Sequence, residues 1–516
     1  GDSLILYDNP LTINDLHKAL CEEKNILTDN LNQLEIISGE TEEINDEIAI
    51  IGMGGIFPDA KNIDEFWKNI ESNKYCIREA PKEKYNWEIY YDPDPNSKDK
   101  CNSKIAGAVR NYTFNASIYG YTEEEAKYFG LSQQYLLDAA RMAIEDAGYN
   151  KDKKLPADKT LIITGNCTGP EFCDRHFKYA FPEIKYYLQQ TDSFNKLNED
   201  EKKQLIDTIR ETVNFPHLND KLENTLNNMD AARIARYIGS EGNQCSVDGA
   251  CASSLVAIDA ARKSLLEGKS DYALVGGVNT NLSPEIYLGF SKMGALSDKG
   301  SFPFDQKASG FVMGEGAGVV ILKRLKDAIK QGDKIHAVLK GIGTSSDGKG
   351  KSPTAPKSDG QALAIRRCFE NLKTPVNFDD IDYIEAHGTG TVMGDISETT
   401  AMGKVYQTSS PIGISSVKSQ IGHLLGGAGM AGLIKALLAI KNKKLPPNGK
   451  FQTRSENIQL PGHFYIIDQT RKWEITNDQS RKAAVSAFGF GGINSHCILE
   501  EYTANYQAPD SFGTLP

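Results

Sequence analysis

The stretch VDGACASSLVAIDAARKSLLEG, residues 247–268, sets a lone cysteine, Cys251, among glycine, alanine and serine just before an amphipathic helical pattern. Two readings are open for it. Free cysteine is among the most buried residue types, so Cys251 can be a small apolar residue packed where a helix begins. The other reading is chemical. Gly249 can take positive φ in a tight turn, and small neighbours let backbone approach backbone. That is the architecture of a nucleophile elbow built around sulfur. A helix opening at Cys251 would aim its first amides at the thiol and lower its pKa. The same amides would serve a developing oxyanion.

Outward from this turn the chain alternates strand-like and helix-like segments. EIAIIGMGG (47–55), TLIITGN (160–166) and DYALVGGVN (271–279) are short apolar runs stopped by glycine or asparagine, which predicts buried strands. EFWKNIESN (65–73) and YLLDAARMAIEDAGY (135–149) have helical spacing, the second closed by Gly148. KIHAVLKGIGTSSDGKG (334–350), IDYIEAHGTGT (381–391) and PIGISSVKSQIGHLLGGAG (411–429) again run from strand into glycine-rich turn. Such alternation predicts a layered α/β fold. The run at 334–350 echoes EIAIIGMGG, a hint of two similar halves. Polar, helix-prone residues 1–45 suggest a linker or docking segment, and residues 183–225 a helical surface insertion before the nucleophile region.

Composition narrows the function classes. With 516 residues, 40% of them hydrophobic and 25% charged, a sizeable core is available. A net charge of −11 argues against a nucleic-acid surface. No apolar run approaches the roughly 18 residues of a membrane span. The start, GDSLILYDNP, has no secretory pattern and no initiator methionine, which suggests a piece of a longer protein. The nine cysteines are scattered, odd in number and never in CxxC spacing, so neither a metal site nor a disulfide framework is expected. A reducing cytoplasm is the natural home.

Three further turns carry chemistry. His387 ends an apolar strand in EAHGTGTVMGDISE, with Thr389 and Thr391 beside it. Lys418 and His423 share KSQIGH, ahead of a long run of small residues. Phe490 sits in FGFGG, a loop with bare amides. Each histidine can equally be a satisfied structural residue, and FGFGG an ordinary loop. Together, one cysteine and two histidines suit a thiolate that holds an acyl group while two imidazoles polarise a second thioester carbonyl. An enolate formed there by loss of carbon dioxide needs only to be held near the acyl cysteine.

The set IAIIGMGGIFPDAKNIDEFW (48–67), YYDPDP (90–95), VDGACASSL, PFDQKASGFVMGEGAG (303–318), EAHGTGT, KSQIGH and FGFGGIN resembles the β-ketoacyl synthase family. More narrowly it resembles the ketosynthase domains of type I polyketide synthases, over residues 46–502 and in the family's motif order. The resemblance implies a thiolase-like, five-layered αβαβα fold of two similar halves, about 46–334 and 335–502, with a C-terminal linker at 503–516. It implies a homodimer, a malonyl unit delivered on the phosphopantetheine arm of an acyl carrier protein, and adjacent synthase domains. No cofactor bound to the domain itself is implied. Cys251 matches the acylated nucleophile, and His387 and His423 the pair that promotes decarboxylation. Lys418 matches their supporting lysine, Glu315 a buried structural acid, and Thr389 and Thr391 the hydroxyls that bind the pantetheine arm. The amides of Cys251 and Phe490 match the oxyanion hole, with the Phe490 ring a gate.

Some motifs depart from the commonest modular form: VDGACASSL replaces DTACSSSL, FPFD replaces RPFD, and FGLSQQYLL stands for MDPQQRLLL. The 183–225 insertion, the TSSDGKG loop and the FGFGGIN ending resemble iterative synthases of the enediyne and polyunsaturated type. The leading activity is decarboxylative Claisen condensation. A transfer-only ketosynthase-like domain would be expected to lack one histidine, and a silent chain-length partner to lack the cysteine. A biosynthetic thiolase would need a second catalytic cysteine near the C-terminus, and Cys497 reads as core packing instead.

Overall fold

The computed structural model describes residues 46–167, 180–213, 223, 226–350, 352, 354–475, 479–503 and 506. The expected linker at 1–45, and the tail beyond 503 apart from Tyr506, lie outside these residues.

Among the described residues, eleven strands form the principal sheet. The first five are β1 (Ile48–Ile56), β2 (Thr160–Gly165), β3 (Gln244–Val247), β4 (Tyr272–Asn279) and β5 (Gly316–Arg324). They lie in the order β3-β2-β4-β5-β1. Strands β2, β3 and β4 are mutually parallel, and β5 runs antiparallel to both β4 and β1. The next six are β6 (Ala337–Ser346), β7 (Tyr383–Glu385), β8 (Ile412–Ser415), β9 (Phe464–Ile466), β10 (Lys482–Gly489) and β11 (Ile493–Glu500). Setting aside the edge strand β9, their order is β8-β7-β10-β11-β6, the same third-second-fourth-fifth-first pattern. The orientations match too, since β7, β8 and β10 are parallel and β11 opposes β10 and β6. The two sets meet at a short antiparallel seam, Ile48–Ile50 against Ala337–Leu339. The hint of two similar halves is thus realised as a topological duplication.

Helices complete the layers. Helix α1 (Leu131–Asp146) covers β1 and β5 from outside with Tyr135, Leu136, Ala139, Ala140 and Ala143, and stops before Gly148 at φ +78°. Between β2 and β3 in the chain, the described part of the insertion is helical: α2 (Phe181–Gln189), α3 (Asp192–Asn195) and α4 (Glu199–Val213). Helix α5 (Ser253–Leu266) packs on β2 and β4. On the far side α6 (Ser358–Glu370) covers β6 and β11, with α7 (Val392–Val405) beside it. Helix α8 (Ala428–Asn442) lies against α5 and touches both β4 and β10. The result is the thiolase-like αβαβα stack, with α5 and α8 as its middle layer.

The middle layer explains the small-residue run. Every residue of α8 from Ala428 to Ile440 is buried. A helix without a solvent face must be apolar all round, and its glycines sit where neighbours come closest, Gly429 against Ser254 and Gly432 against Glu385. A Cβ added to Gly277 on β4 would lie 2.7 Å from Ser254 Cβ and 2.8 Å from Met430 Cβ. The sequence pattern missed β5, whose buried run GAGVVILKR follows a glycine motif without a turn signal between them. All seven described cysteines are free. No described helix is long and apolar enough to cross a membrane.

The Gly277 contacts make a stability test. Gly277→Val should destabilise the fold by about 1–3 kcal/mol through overpacking, read as a lower urea midpoint. An unchanged midpoint would show that α5 and α8 are not seated this closely.

Candidate active site

The Cys251 turn lies between β3 and α5. Its left-handed residue is Ala250, at φ +48°, and not Gly249 as the sequence suggested. A non-glycine residue pays roughly 1–2 kcal/mol for that conformation, and the turn is braced accordingly. Ala250 N–H donates to Asp248 Oδ1 at 2.8 Å, Gly249 N–H donates to Ser253 Oγ at 2.9 Å, and Ser253 Oγ donates to Ala250 O at 2.6 Å. Helix α5 begins at Ser253, two residues later than expected, and Cys251 is 4% exposed. The amides of Phe490 and of Cys251 itself face the sulfur, and Lys418 adds positive charge. Burial nevertheless dominates and raises the thiol to about 11. The expected lowering is overturned because desolvation outweighs the amides.

The His387 turn follows β7. It contains Gly388 at φ +35° and Gly390 at φ +78°. The acids that hold it are two the sequence reading left unassigned. Glu398 on α7 accepts the N–H groups of His387 and Gly388, each at 2.7 Å. Asp395 accepts from Gly390 N–H at 3.2 Å and from Phe304 N–H at 2.7 Å. Their signal was present in GDISE: two acids three residues apart in the first turns of a helix, directly after a glycine-rich loop. Burial lifts each carboxyl to about 7 despite the amides. The hydroxyls of Thr389 and Thr391 stand 2.9 Å apart at the same turn.

The His423 turn follows β8 and leads into α8. Gly422 at φ +78° and Leu425 at φ +39° bend the chain on either side of the histidine. Leu425 N–H donates to Nδ1 of His423 at 3.1 Å. An Nδ1 that accepts leaves the proton on Nε2, so the ring offers a donor.

Six of the eight residues singled out from the sequence, Cys251, His387, Thr389, Thr391, His423 and Phe490, line one cavity of about 390 Å³. The two imidazoles are edge to face, with centroids 5.5 Å apart. His423 packs against Phe311 and His387 against Phe488, at 5.2 and 5.6 Å. Lys418 and Glu315 do not line the cavity. Lys418 is buried, and its charge helps push both imidazoles well below their ordinary pKa, with burial the larger cause. Glu315 is fully buried, paired with Lys84, and accepts Val109 N–H at 2.6 Å. Cys497 lies on β11 in the core, away from the cavity, its thiol raised to about 12 by burial. Met293, Val392 and Met393 also line the cavity and are 53%, 42% and 66% exposed, an apolar rim the sequence reading did not find.

A buried thiol facing two amides, with two neutral imidazoles beside it, suits chemistry in which oxyanions form at thioester carbonyls. The geometry predicts that nitrogen-15 NMR of labelled histidine finds His423 neutral and protonated on Nε2 at pH 7. A proton on Nδ1 would contradict the Leu425 hydrogen bond.

Comparison with known proteins follows the same lines. Residues 45–328 match the family pattern of the beta-ketoacyl synthase N-terminal domain, and residues 336–452 that of the C-terminal domain. The chain is 36% identical over 475 residues to polyketide synthase PksN of Bacillus subtilis, covering 88% of this chain and 8% of that protein. It is 33% identical over 464 residues to polyketide synthase PksL of the same organism, covering 89% of this chain and 9% of that one. Among solved structures, the ketosynthase from module 6 of the Bacillus subtilis bacillaene synthase superposes with a TM-score of 0.73 at 32% identity, covering 89% of this chain and 72% of that one. The oxazolomycin ketosynthase domain OzmH KS7 of Streptomyces albus gives 0.76 at 29%, covering 90% and 76%. With the two family patterns spanning both halves and these relatives aligned over most of its length, the chain belongs to the β-ketoacyl synthase family, as an acyl-transferring ketosynthase of the polyketide synthase type.

Proposed function

We propose that the chain catalyses decarboxylative Claisen condensation between an acyl group held on Cys251 and a malonyl unit held on a carrier protein. The observation that carries this reading is the meeting of Cys251, two neutral histidines and the Phe490 turn in one cavity. In the first step Cys251 Sγ attacks an acyl thioester, the amides of Cys251 and Phe490 hold the oxyanion, and the pantetheine thiol leaves with the proton. In the second step a malonyl thioester presents its carbonyl oxygen to His423 Nε2–H and to the His387 ring. Its carboxylate departs as carbon dioxide, and the electron pair of the broken bond becomes an enolate. The enolate carbon attacks the acyl carbonyl carbon, Sγ leaves as thiolate, and the β-ketoacyl product stays on the carrier.

The roles around this chemistry follow. Thr389 and Thr391 offer paired hydroxyls to the amides of the phosphopantetheine arm, and Lys418 supports the histidine pair from behind. The ring of Phe490, tilted against Phe290 at 5.7 Å, gates the acyl side. Glu315 is structural. An acyl carrier protein and adjacent synthase domains are the partners, in the cytoplasm. Strand β3 supports a homodimer, because this sheet edge of four half-buried residues has no strand neighbour on its outer side among the described residues.

Cys251→Ala should abolish acyl loading, and a covalent acyl adduct on that variant would sink the nucleophile role. His387→Ala should load normally yet release no carbon dioxide from malonyl-carrier protein. Intact-mass analysis of a two-step assay decides between elongation and transfer. Condensation leaves the carrier heavier by the acyl group and lighter by carbon dioxide, whereas acyl-enzyme that never elongates means transfer only.

A further inference from the structure

One buried carboxylate joins the segments that carry His387, Lys418 and His423. Glu385 is the last residue of β7, two before His387, and is 1% exposed. Its Oε1 accepts Val417 N–H at 2.6 Å, and Val417 directly precedes Lys418. Its Oε2 pairs with Lys435 Nζ at 2.7 Å and accepts the Tyr383 hydroxyl. Lys435 is fully buried on α8, the helix that follows His423. Lys435 also donates to Ser415 Oγ at 2.8 Å, tying α8 to the end of β8. The fit is tight: a Cβ on Gly432, one turn before Lys435, would lie 3.1 Å from Glu385 Cγ.

A buried ion pair is a weak source of net stability, because desolvation of both charges offsets their attraction. What this pair does provide is geometry. Tyr383–Ser415 and Ser416–Gly388 hydrogen bonds also tie the ends of β7 and β8 together, but the charged pair is what fixes the end of β7 against the middle of α8. Neither Glu385 nor Lys435 lines the cavity. Cys251 and the amides facing it belong to other segments, the β3–α5 turn and the loop after β10, which the Glu385 hydrogen bonds do not reach.

We propose that Glu385 and Lys435 are a positioning pair for the decarboxylation half-reaction, acting through the placement of the His387 and His423 turns and leaving acyl loading alone. This rests on the condensation reading above. The test is the double variant Glu385→Gln/Lys435→Met in the full chain, which removes both charges at nearly constant size and strands neither. Acyl loading of Cys251, followed by intact mass, should stay close to wild type. Carbon dioxide release from malonyl-carrier protein should fall about 100-fold, the scale of a misplacement near 1 Å. A folded double variant with wild-type release would overturn the proposal, as would equal losses of loading and release.

Gly432→Ala serves as a second variant should the first not fold, since it presses on Glu385 while keeping both charges. It should show a smaller fall in release with loading intact, and unchanged release would overturn the proposal. Wild type run in parallel separates the two claims, because failure of wild type to release carbon dioxide counts against the condensation reading itself.

Discussion

The structure depends on a helix that has nowhere to meet water. From Ala428 to Ile440 helix α8 is enclosed by strands of both halves and by α5, so each side chain over that span must be apolar, small or neutralised by a partner. Gly429 and Gly432 admit Ser254 and Glu385, and Lys435 is tolerated only beside a carboxylate. Interiors packed this densely transmit small displacements. The turns at the N-terminal ends of α5 and α8 are therefore held by the core itself, and those are the turns that carry Cys251 and His423.

The duplication gives this arrangement its logic. In each half the third strand of the topological pattern leads into the middle-layer helix: β3 into α5, and β8 into α8. Cys251 and His423 occupy these two equivalent connections, while His387 follows the second strand of the second half. One type of connection, used twice, brings a thiol and an imidazole to the same cavity from the two halves of the molecule. Burial then sets their ionisation. The thiol stays protonated and the rings stay neutral because no charged form is welcome there. Backbone amides and one buried lysine supply the polarity instead.

Much of this was legible in the sequence, for a physical reason. Sites built from backbone amides need tight turns, tight turns need glycine and small residues, and a thiol or imidazole among them stands out. Cys251, His387, Thr389, Thr391, His423 and Phe490 were visible in that way, and they meet in one cavity. Local geometry was less legible. Whether Gly249 or Ala250 takes positive φ depends on Asp248 and Ser253 side chains that brace the turn, and a single sequence does not announce such contacts. The pKa of Cys251 was misjudged because helix amides are inferred locally, whereas burial comes from segments far away in the chain. Glu398, Asp395 and Glu385 were overlooked because an acid on a strand or helix usually signals solvent, and only the assembled layers bury these three.

The raised thiol of Cys251 bears on how well this sulfur survives chemically in the resting protein. Peroxides and stray electrophiles react with the thiolate, not the thiol, so oxidation to sulfenic acid and beyond follows the thiolate fraction and exposure. Cys251 is 4% exposed, and with burial pushing its thiol up to about 11 it is protonated at neutral pH. Under the condensation reading, a thioester seated against the Phe490 and Cys251 amides would draw out its chemistry by accommodating the departing proton and the forming oxyanion. The same burial that raises the thiol therefore also shields it from oxidants.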